Sequence, residues 1–405
     1  MSLTVAQKPH SPEIAHQTAE VARPFRLGFL SSYWPRRCGL ATFTTDLCRA
    51  IQARFPEAHC SVTAVNDGGG YAYNPEVRFQ IRQQRRSDYV LAAQSLNREN
   101  LDALCLQHEF GVFGGPAGSH LLALLDNLDA PLFTTLHTVL RQPDRDQEKV
   151  TRYLIERSQR LVVMTHYTRQ LLQEVYAVPE HQIDLIPHGI PDVPFAGQQA
   201  HKQALGLQGR TVLLTFGLLS PGKGIENALK AMVEVAPRHP DLLYLVLGAT
   251  HPHVLRQHGE AYRHGLQELA RQLGLESMVT FEDRFVELDE LTRYLSAADI
   301  YVTPYLNEAQ AVSGTLAYAF GCGKPVVSTP YWHARELLAE GRGMLVPFGD
   351  PGALGGALAE LLNDRSRRLE MAERAYRLSR GMVWNSVAGL FMESMLTALR
   401  ARVRK

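Results

Sequence analysis

The sequence is short of the features that mark several large classes of protein. Its five cysteines (Cys38, Cys48, Cys60, Cys105 and Cys322) are scattered, with no C-x-x-C pair and no Cys/His spacing of a structural zinc site. They read as buried thiols of a reducing compartment. No run of about eighteen apolar residues suggests a membrane span. The leader MSLTVAQKPHSPEIAHQTAEVARP lacks the continuous apolar stretch of a secretion signal, so a cytoplasmic location is expected. Charge of one sign is also missing. Forty-two basic residues stand against 41 acidic ones, a net charge of +1, which argues against nucleic acid as a partner. There is no G-x-G-x-x-G for a dinucleotide, no G-x-x-x-x-G-K-[ST] of a P-loop and no G-x-S-x-G of a hydrolase elbow.

What is there is a chain of 405 residues, 45% hydrophobic and 20% charged, enough for two ordinary cores. Apolar runs such as FRLGFLSS, CSVTAVND, LDALCLQHE, PLFTTLH, RLVVMTH and QIDLIPHG alternate with helix-period segments such as ATFTTDLCRAIQARF and DQEKVTRYLIERS. The rhythm breaks at IPDVPFAGQQAHKQALGLQGR and resumes with TVLLTFG, LLYLVLG, MVTFED, DIYVTP, KPVVST and RGMLVPF. This predicts an α/β protein of two doubly wound domains with parallel sheets, joined near residues 190–208. The expected division is a polar leader over 1–24, one domain over 25–195, a second over 196–380, and a closing helix over 381–405. In that helix Trp384, Val387, Leu390, Phe391, Met395 and Leu399 recur at helical spacing.

Ligands of open parallel sheets lie beyond the carboxyl ends of the strands, so the loops there are the ones to read. YWPRRCGLATFTTDL places Arg36 and Arg37 before Gly39 and a helix start. Either a ligand anion approaches that glycine, or the segment is a tight turn with two surface arginines. His108, Glu109 and His137 end two strands that face the same cleft, which makes His137 the leading functional candidate. In the second half, TFGLLSPGKGIENALKA sets Lys223 before a helix. That suits a diphosphate, the alternative being a Pro-Gly turn with an exposed lysine. DIYVTP feeds NEAQAVSGTLAYAFGCGKPVV, with Glu308 and Gln310 in the loop and Ser313, Gly314 and Thr315 at the helix start. Three loops from both halves thus point to a phosphate-bearing ligand between the domains. Asp144 and Asp146 have the D-x-D look of a metal-diphosphate site, but they begin a helix, where the dipole favours acidic residues; no metal is expected.

From about Arg26 to the C-terminus the order of motifs resembles glycosyltransferase family 4, with its two-Rossmann GT-B fold. The carriers are PRRCGLATFTTDL, LQHEFGVFGG, TLHT, VVMTHYTRQLL, IPHGIP, GLLSPGKGIENALKA, AADIYVTPY and GCGKPVVST followed by HARELLAEGRGMLVPFGDPGALGGAL. The resemblance implies a retaining hexosyltransferase with no obligatory metal or other cofactor. Its co-substrate would be a nucleotide diphosphate sugar, GDP- or UDP-hexose with mannose or glucose as the sugar, and its acceptor a sugar or other hydroxyl. It assigns catalytic roles to His137, Lys223 and Glu308. Donor binding would fall to Gly39, Lys223, Arg284, Phe285, Gln310, Ser313, Gly314 and Thr315, with His108 and Glu109 on the acceptor side. The helix around Trp384 would cross back to the first domain. Two departures stand out: Leu218 occupies the place of a phosphate-binding arginine, and the E-x7-E pair is missing, with Gln310 and Tyr318, or Glu308 and Leu316, at its two positions. A disaccharide phosphorylase or a non-catalytic nucleotide- or sugar-binding protein on the same fold is the alternative. Nothing in the sequence fixes an oligomeric state.

Overall fold

The structure is a computed structural model that describes residues 24–403; the expected polar leader lies almost wholly outside them. The first half runs β1 (Arg26–Ser31), α1 (Gly39–Arg54), β2 (His59–Asn66), β3 (Val77–Arg82), α2 (Arg86–Arg98), β4 (Ala103–His108), α3 (His120–Leu125), β5 (Leu132–Leu136), α4 (Arg145–Arg157), β6 (Ser158–Val163), α5 (His166–Tyr176) and β7 (Ile183–Leu185). The strands form one parallel sheet in the order β3-β2-β1-β4-β5-β6-β7.

The second half begins with α6 (Gln198–Ala204), β8 (Thr211–Phe216), α7 (Ile225–Val235), β9 (Leu242–Leu247), α8 (Pro252–His258), α9 (Ala261–Gln272), β10 (Val279–Glu282) and α10 (Leu288–Ala297). It continues with β11 (Ile300–Thr303), α11 (Gly314–Gly321), β12 (Val326–Ser328), α12 (Trp332–Leu337), β13 (Met344–Leu345), α13 (Pro351–Asn363), α14 (Arg365–Ser379) and α15 (Trp384–Val403). Its sheet is again parallel, in the order β10-β9-β8-β11-β12-β13. Strand order reverses between β1 and β4 in one sheet and between β8 and β11 in the other. Those are the two places where adjacent loops diverge and leave a crevice.

Burial on both faces explains why these strands read as continuous apolar runs. In β4, Leu104 and Leu106 join one core while Ala103 and Cys105 join the core on the opposite face. In β9, Leu242, Tyr244 and Val246 pack on one side and Leu245 and Leu247 on the other. Helix α15 does not stay with the second sheet. Trp384, Val387, Phe391, Met392 and Met395 share a core with Leu27, Phe29, Phe43 and Leu47 of the first. Leu390, grouped with that stripe from spacing, is 38% exposed, because at about 100° per residue it lies a quarter-turn from Phe391. Strand β3 and its helix α2 lie outside the runs named above: β3, VRFQIR, is an edge strand that alternates apolar and polar residues and so forms no continuous apolar run. Among the described residues no helix is long and apolar enough to cross a membrane.

Candidate active site

The second switch point is the most ordered polar region of the cleft. Strand β11 ends at Thr303, and Pro304 and Tyr305 lead into the loop before α11. Ser313 caps that helix, its Oγ accepting from Leu316 N at 3.3 Å. Its own N–H donates to His333 Nδ1 at 2.8 Å, and Ala317 N–H donates to Ser313 O at 3.0 Å. The N–H groups of Gly314 and Thr315 have no partner among the described residues, so the positive end of the helix is left with two free donors. Lys223, in the turn after β8, donates to Tyr305 OH at 2.8 Å. Tyr305 OH meets Thr315 Oγ1 at 2.8 Å, and Thr315 Oγ1 meets Ser313 Oγ at 3.1 Å. Burial works against ionisation of Tyr305, yet the Lys223 ammonium and its hydrogen bonds hold the hydroxyl below its ordinary value. One cation, two free amides and a line of hydroxyls thus converge at one helix start, an arrangement that receives a phosphate.

Three histidines, His137, His188 and His333, lie about this point, and burial pushes each below its usual value, which favours the neutral ring at pH 7. His137 follows β5; its Nε2 meets Gln107 Oε1 at 2.9 Å and its ring lies edge-on to Phe43 at 4.7 Å. Burial, reinforced by His188 and His108, pushes it well below the usual value. His188 follows β7; its Nδ1–H donates to Gly189 O at 2.7 Å, and burial lowers it to about 4. A Cβ on Gly314 would lie 2.9 Å from His188 Nε2, so the glycine admits the histidine to the helix start. His333 on α12 is lowered to about 3, by burial first and then by His188. Because none of these imidazoles carries charge, Lys223 is the cation at the α11 start.

His108 differs from the others. It is buried between Phe110 and Phe113, neither nitrogen has a hydrogen-bond partner among the described residues, and burial lowers it to about 3. Its neighbour Glu109 faces the loop, accepting from Thr138 Oγ1 at 2.6 Å and from Phe110 N at 3.0 Å, and burial raises its carboxyl. Gly39 opens α1, where a Cβ would meet nothing within 4 Å. Arg36 is engaged, bonded to Val65 O at 3.0 Å and facing Asp67 at 3.5 Å. Arg37 instead lies over the ring of Phe285 at 5.7 Å, and Trp34 lies 6.1 Å from that ring, so the β1 and β10 loops meet across the cleft.

The remaining expected residues are more dispersed. Arg284 is paired with Glu290 at 2.5 Å and Glu282 at 3.3 Å and contacts Tyr294 OH at 3.1 Å. Glu308 is exposed and pairs with Arg335 at 2.5 Å. Gln310 braces the loop, its Nε2 donating to Val312 O at 2.5 Å and its carbonyl accepting from His333 N at 3.2 Å. Asp144 caps α4 in a capping box with Gln147, which accounts for the D-x-D. Among the described residues no cluster of three His, Cys, Asp or Glu side chains could hold a metal ion. Tyr318, at one of the two candidate places for a second glutamate, donates to Asp46 Oδ2 of α1 at 2.9 Å, and burial raises Asp46 to about 6. At the other side of the cleft Glu336 accepts from His166 N at 2.9 Å, and Trp332 packs on Tyr167 at 4.4 Å.

His188, His333 and Tyr305 carry the geometry but were not singled out from sequence. Each lies inside a quoted motif, IPHGIP, HARELLAEGRG and AADIYVTPY, and their common signal is a polar side chain just beyond a strand or at the next helix start.

Two family models match consecutive stretches of the chain: Glycosyltransferase Family 4 over residues 38–192, and Glycosyl transferases group 1 over residues 197–378. The chain belongs to this family of glycosyltransferases. Among its relatives is the D-inositol 3-phosphate glycosyltransferase of Kineococcus radiotolerans, 28% identical over 305 residues, 68% of each chain. The protein of the same name from Corynebacterium glutamicum is 28% identical over 277 residues, and the match spans 64% of each. The GDP-mannose-dependent alpha-(1-6)-phosphatidylinositol monomannoside mannosyltransferase of Mycolicibacterium smegmatis is 25% identical, matching 58% of each. The chain therefore matches about three-fifths to two-thirds of the length of these relatives. In fold this glycosyltransferase is similar to sucrose-phosphate synthase from Thermosynechococcus elongatus, with TM-score 0.74, 19% identity, and coverage of 93% of this chain and 100% of that one. It is likewise similar to Anabaena HepE in complex with UDP and glucose, with TM-score 0.72, 16% identity, and coverage of 92% and 100%. The fold is GT-B.

Proposed function

We propose that this glycosyltransferase moves a hexosyl group from a nucleoside diphosphate sugar, GDP- or UDP-hexose, to an acceptor hydroxyl, with retention at the anomeric carbon and without an obligatory metal. The observation that carries this reading is the Lys223–Tyr305–Thr315–Ser313 line at the α11 start, with its two free N–H groups. A diphosphate there would have its developing negative charge met by fixed donors as the sugar–phosphate bond breaks. His137 and neutral His188 would face the sugar. The acceptor hydroxyl would approach from the side on which the diphosphate leaves; its oxygen bonds the anomeric carbon while its proton passes to a phosphate oxygen. Glu109 lies on the first-domain wall of the same cleft, where an acceptor would be held, and the open start of α1 at Gly39 would let the donor diphosphate approach from that side. Anabaena HepE, which is similar in fold, forms complexes with UDP and with UDP-glucose, which supports this class of donor.

The test is incubation with a panel of UDP-, GDP- and ADP-hexoses and neutral or phosphorylated acceptors, following nucleoside diphosphate release and the anomeric configuration of the product by NMR. Release that depends on both donor and acceptor, with the α-configuration kept, is the expected result. Phosphate-dependent release of hexose 1-phosphate from a disaccharide, without any nucleotide, would replace the reading with a phosphorylase.

A further inference from the structure

Lys223 stands in the turn after β8, and the adjacent loop offers an uncharged donor next to that turn. The two loops are zipped together. Leu219 N–H donates to Ala249 O at 2.9 Å and His251 N–H returns to Leu219 O at 2.8 Å, with a bridge between Leu219 and Thr250. The zipper sets His251 against Leu219, four residues before Lys223 in the same turn. The loop is also braced from behind. Buried Arg263 donates to Gly248 O at 2.8 Å and to Thr250 Oγ1 at 3.3 Å and pairs with Glu260 and Asp283, while Thr250 Oγ1 donates to Glu260 at 2.5 Å. Gly248 has φ of +149°, and a Cβ there would fall 2.0 Å from Gly217 O, so only glycine lets the loops close this tightly.

The ring of His251 has a defined polarity. Its Nδ1 accepts from His253 N at 3.2 Å, which puts the proton of the neutral ring on Nε2. The side chain is exposed at the mouth of the loop, and Nε2–H has no partner among the described residues. Partial burial first, then His253, Lys223 and Arg256, depress the imidazole, so at neutral pH it is an uncharged donor beside a cationic one.

We propose that His251 donates from Nε2–H to the diphosphate of the donor sugar, beside Lys223. The inference rests on the donor reading above. It makes His251 a group that touches the leaving group, and the second point of a two-loop grip.

The experiment is calorimetric binding of UDP, GDP, the matching monophosphates and the nucleosides to the wild type and to His251→Ala, His251→Asn and His251→Arg. His251→Ala is expected to lose about tenfold or more in affinity for the preferred diphosphate and little for the nucleoside. Asn and Arg, which restore a donor, should recover most of it. Heteronuclear NMR should show the Nε2–H tautomer and a shift of that nitrogen on diphosphate binding. Equal losses for diphosphate and nucleoside, or no loss, would overturn the phosphate contact while leaving the donor reading intact. A wild type that binds no nucleoside diphosphate would overturn both.

Discussion

The two switch points of this glycosyltransferase occupy equivalent places in similar sheets, yet they are built differently. At β8/β11 most polar groups are spoken for: Ser313, Thr315, Tyr305, Lys223 and His333 bind one another, and among the described residues the Gly314 and Thr315 N–H groups have no partner. At β1/β4 the helix start at Gly39 is open, Arg36 is turned away to Asp67, and the wall is built from Trp34, Glu109 and an apolar niche around His108. On the proposed reading the first is a preorganised cradle for a fixed charge, and the second leaves room. A reaction with an invariant leaving group and a variable acceptor calls for that division, because preorganisation stabilises charge only where its position is known in advance.

The largest effect that bears on this contrast is expected at Lys223. Lys223→Ala should lower turnover with any donor by at least about a hundredfold, in steady-state assays at saturating donor. A near-normal rate would remove the asymmetry. Next comes a paired glycine test. In Gly314→Ala the new methyl meets His188, whose ring is pinned by Gly189 O and Phe43. We expect a loss of roughly 1–3 kcal/mol in urea unfolding and a further loss of donor affinity. Gly39→Ala enters open space and should change stability by less than about 0.5 kcal/mol, leaving any effect on activity to be read as ligand approach.

The contact joining the two regions provides a pH test. Asp46, raised to about 6 by burial, accepts from Tyr318 across the domain boundary. Its folded value lies above the unfolded one, so its contribution is complete below about pH 4 and is lost as pH rises through 6. Asp46→Asn, which can still accept from Tyr318, should therefore be more stable than the wild type at pH 7.5 by roughly 1–3 kcal/mol, with the difference gone near pH 4. The smallest effect is expected at Arg284. It is exposed and already ion-paired, so Arg284→Ala should change stability by under about 1 kcal/mol and test base contact through donor KM alone.

The sequence was most legible where a single strand or helix start carries the signal. Buried parallel strands announce themselves as apolar runs, and Lys223 and Ser313 follow such runs directly. Edge strand β3, VRFQIR, signals itself by alternation and not by a continuous run, because one face of it is exposed. The histidine cluster was harder because its members come from β7, β5 and α12, so only the fold unites them. Arg284 and Glu308 follow strands as plainly as Lys223 does, but each is neutralised by a partner two to twenty-seven residues away, Glu282 and Arg335. Position after a strand indicates candidacy, whereas the fate of each charge is decided by neighbours that spacing does not show.

The central claim is that the cradle at α11 and Lys223 holds the diphosphate of a nucleotide sugar. Thermal-shift measurement of the wild type and Lys223→Ala with UDP, GDP, ADP and their hexose conjugates, and separately with inorganic phosphate, tests it most directly. The account predicts a clear rise for the wild type with one nucleotide series, because a ligand that binds only the folded state stabilises it by mass action, and its loss in Lys223→Ala. A rise with inorganic phosphate and none with any nucleotide would contradict it.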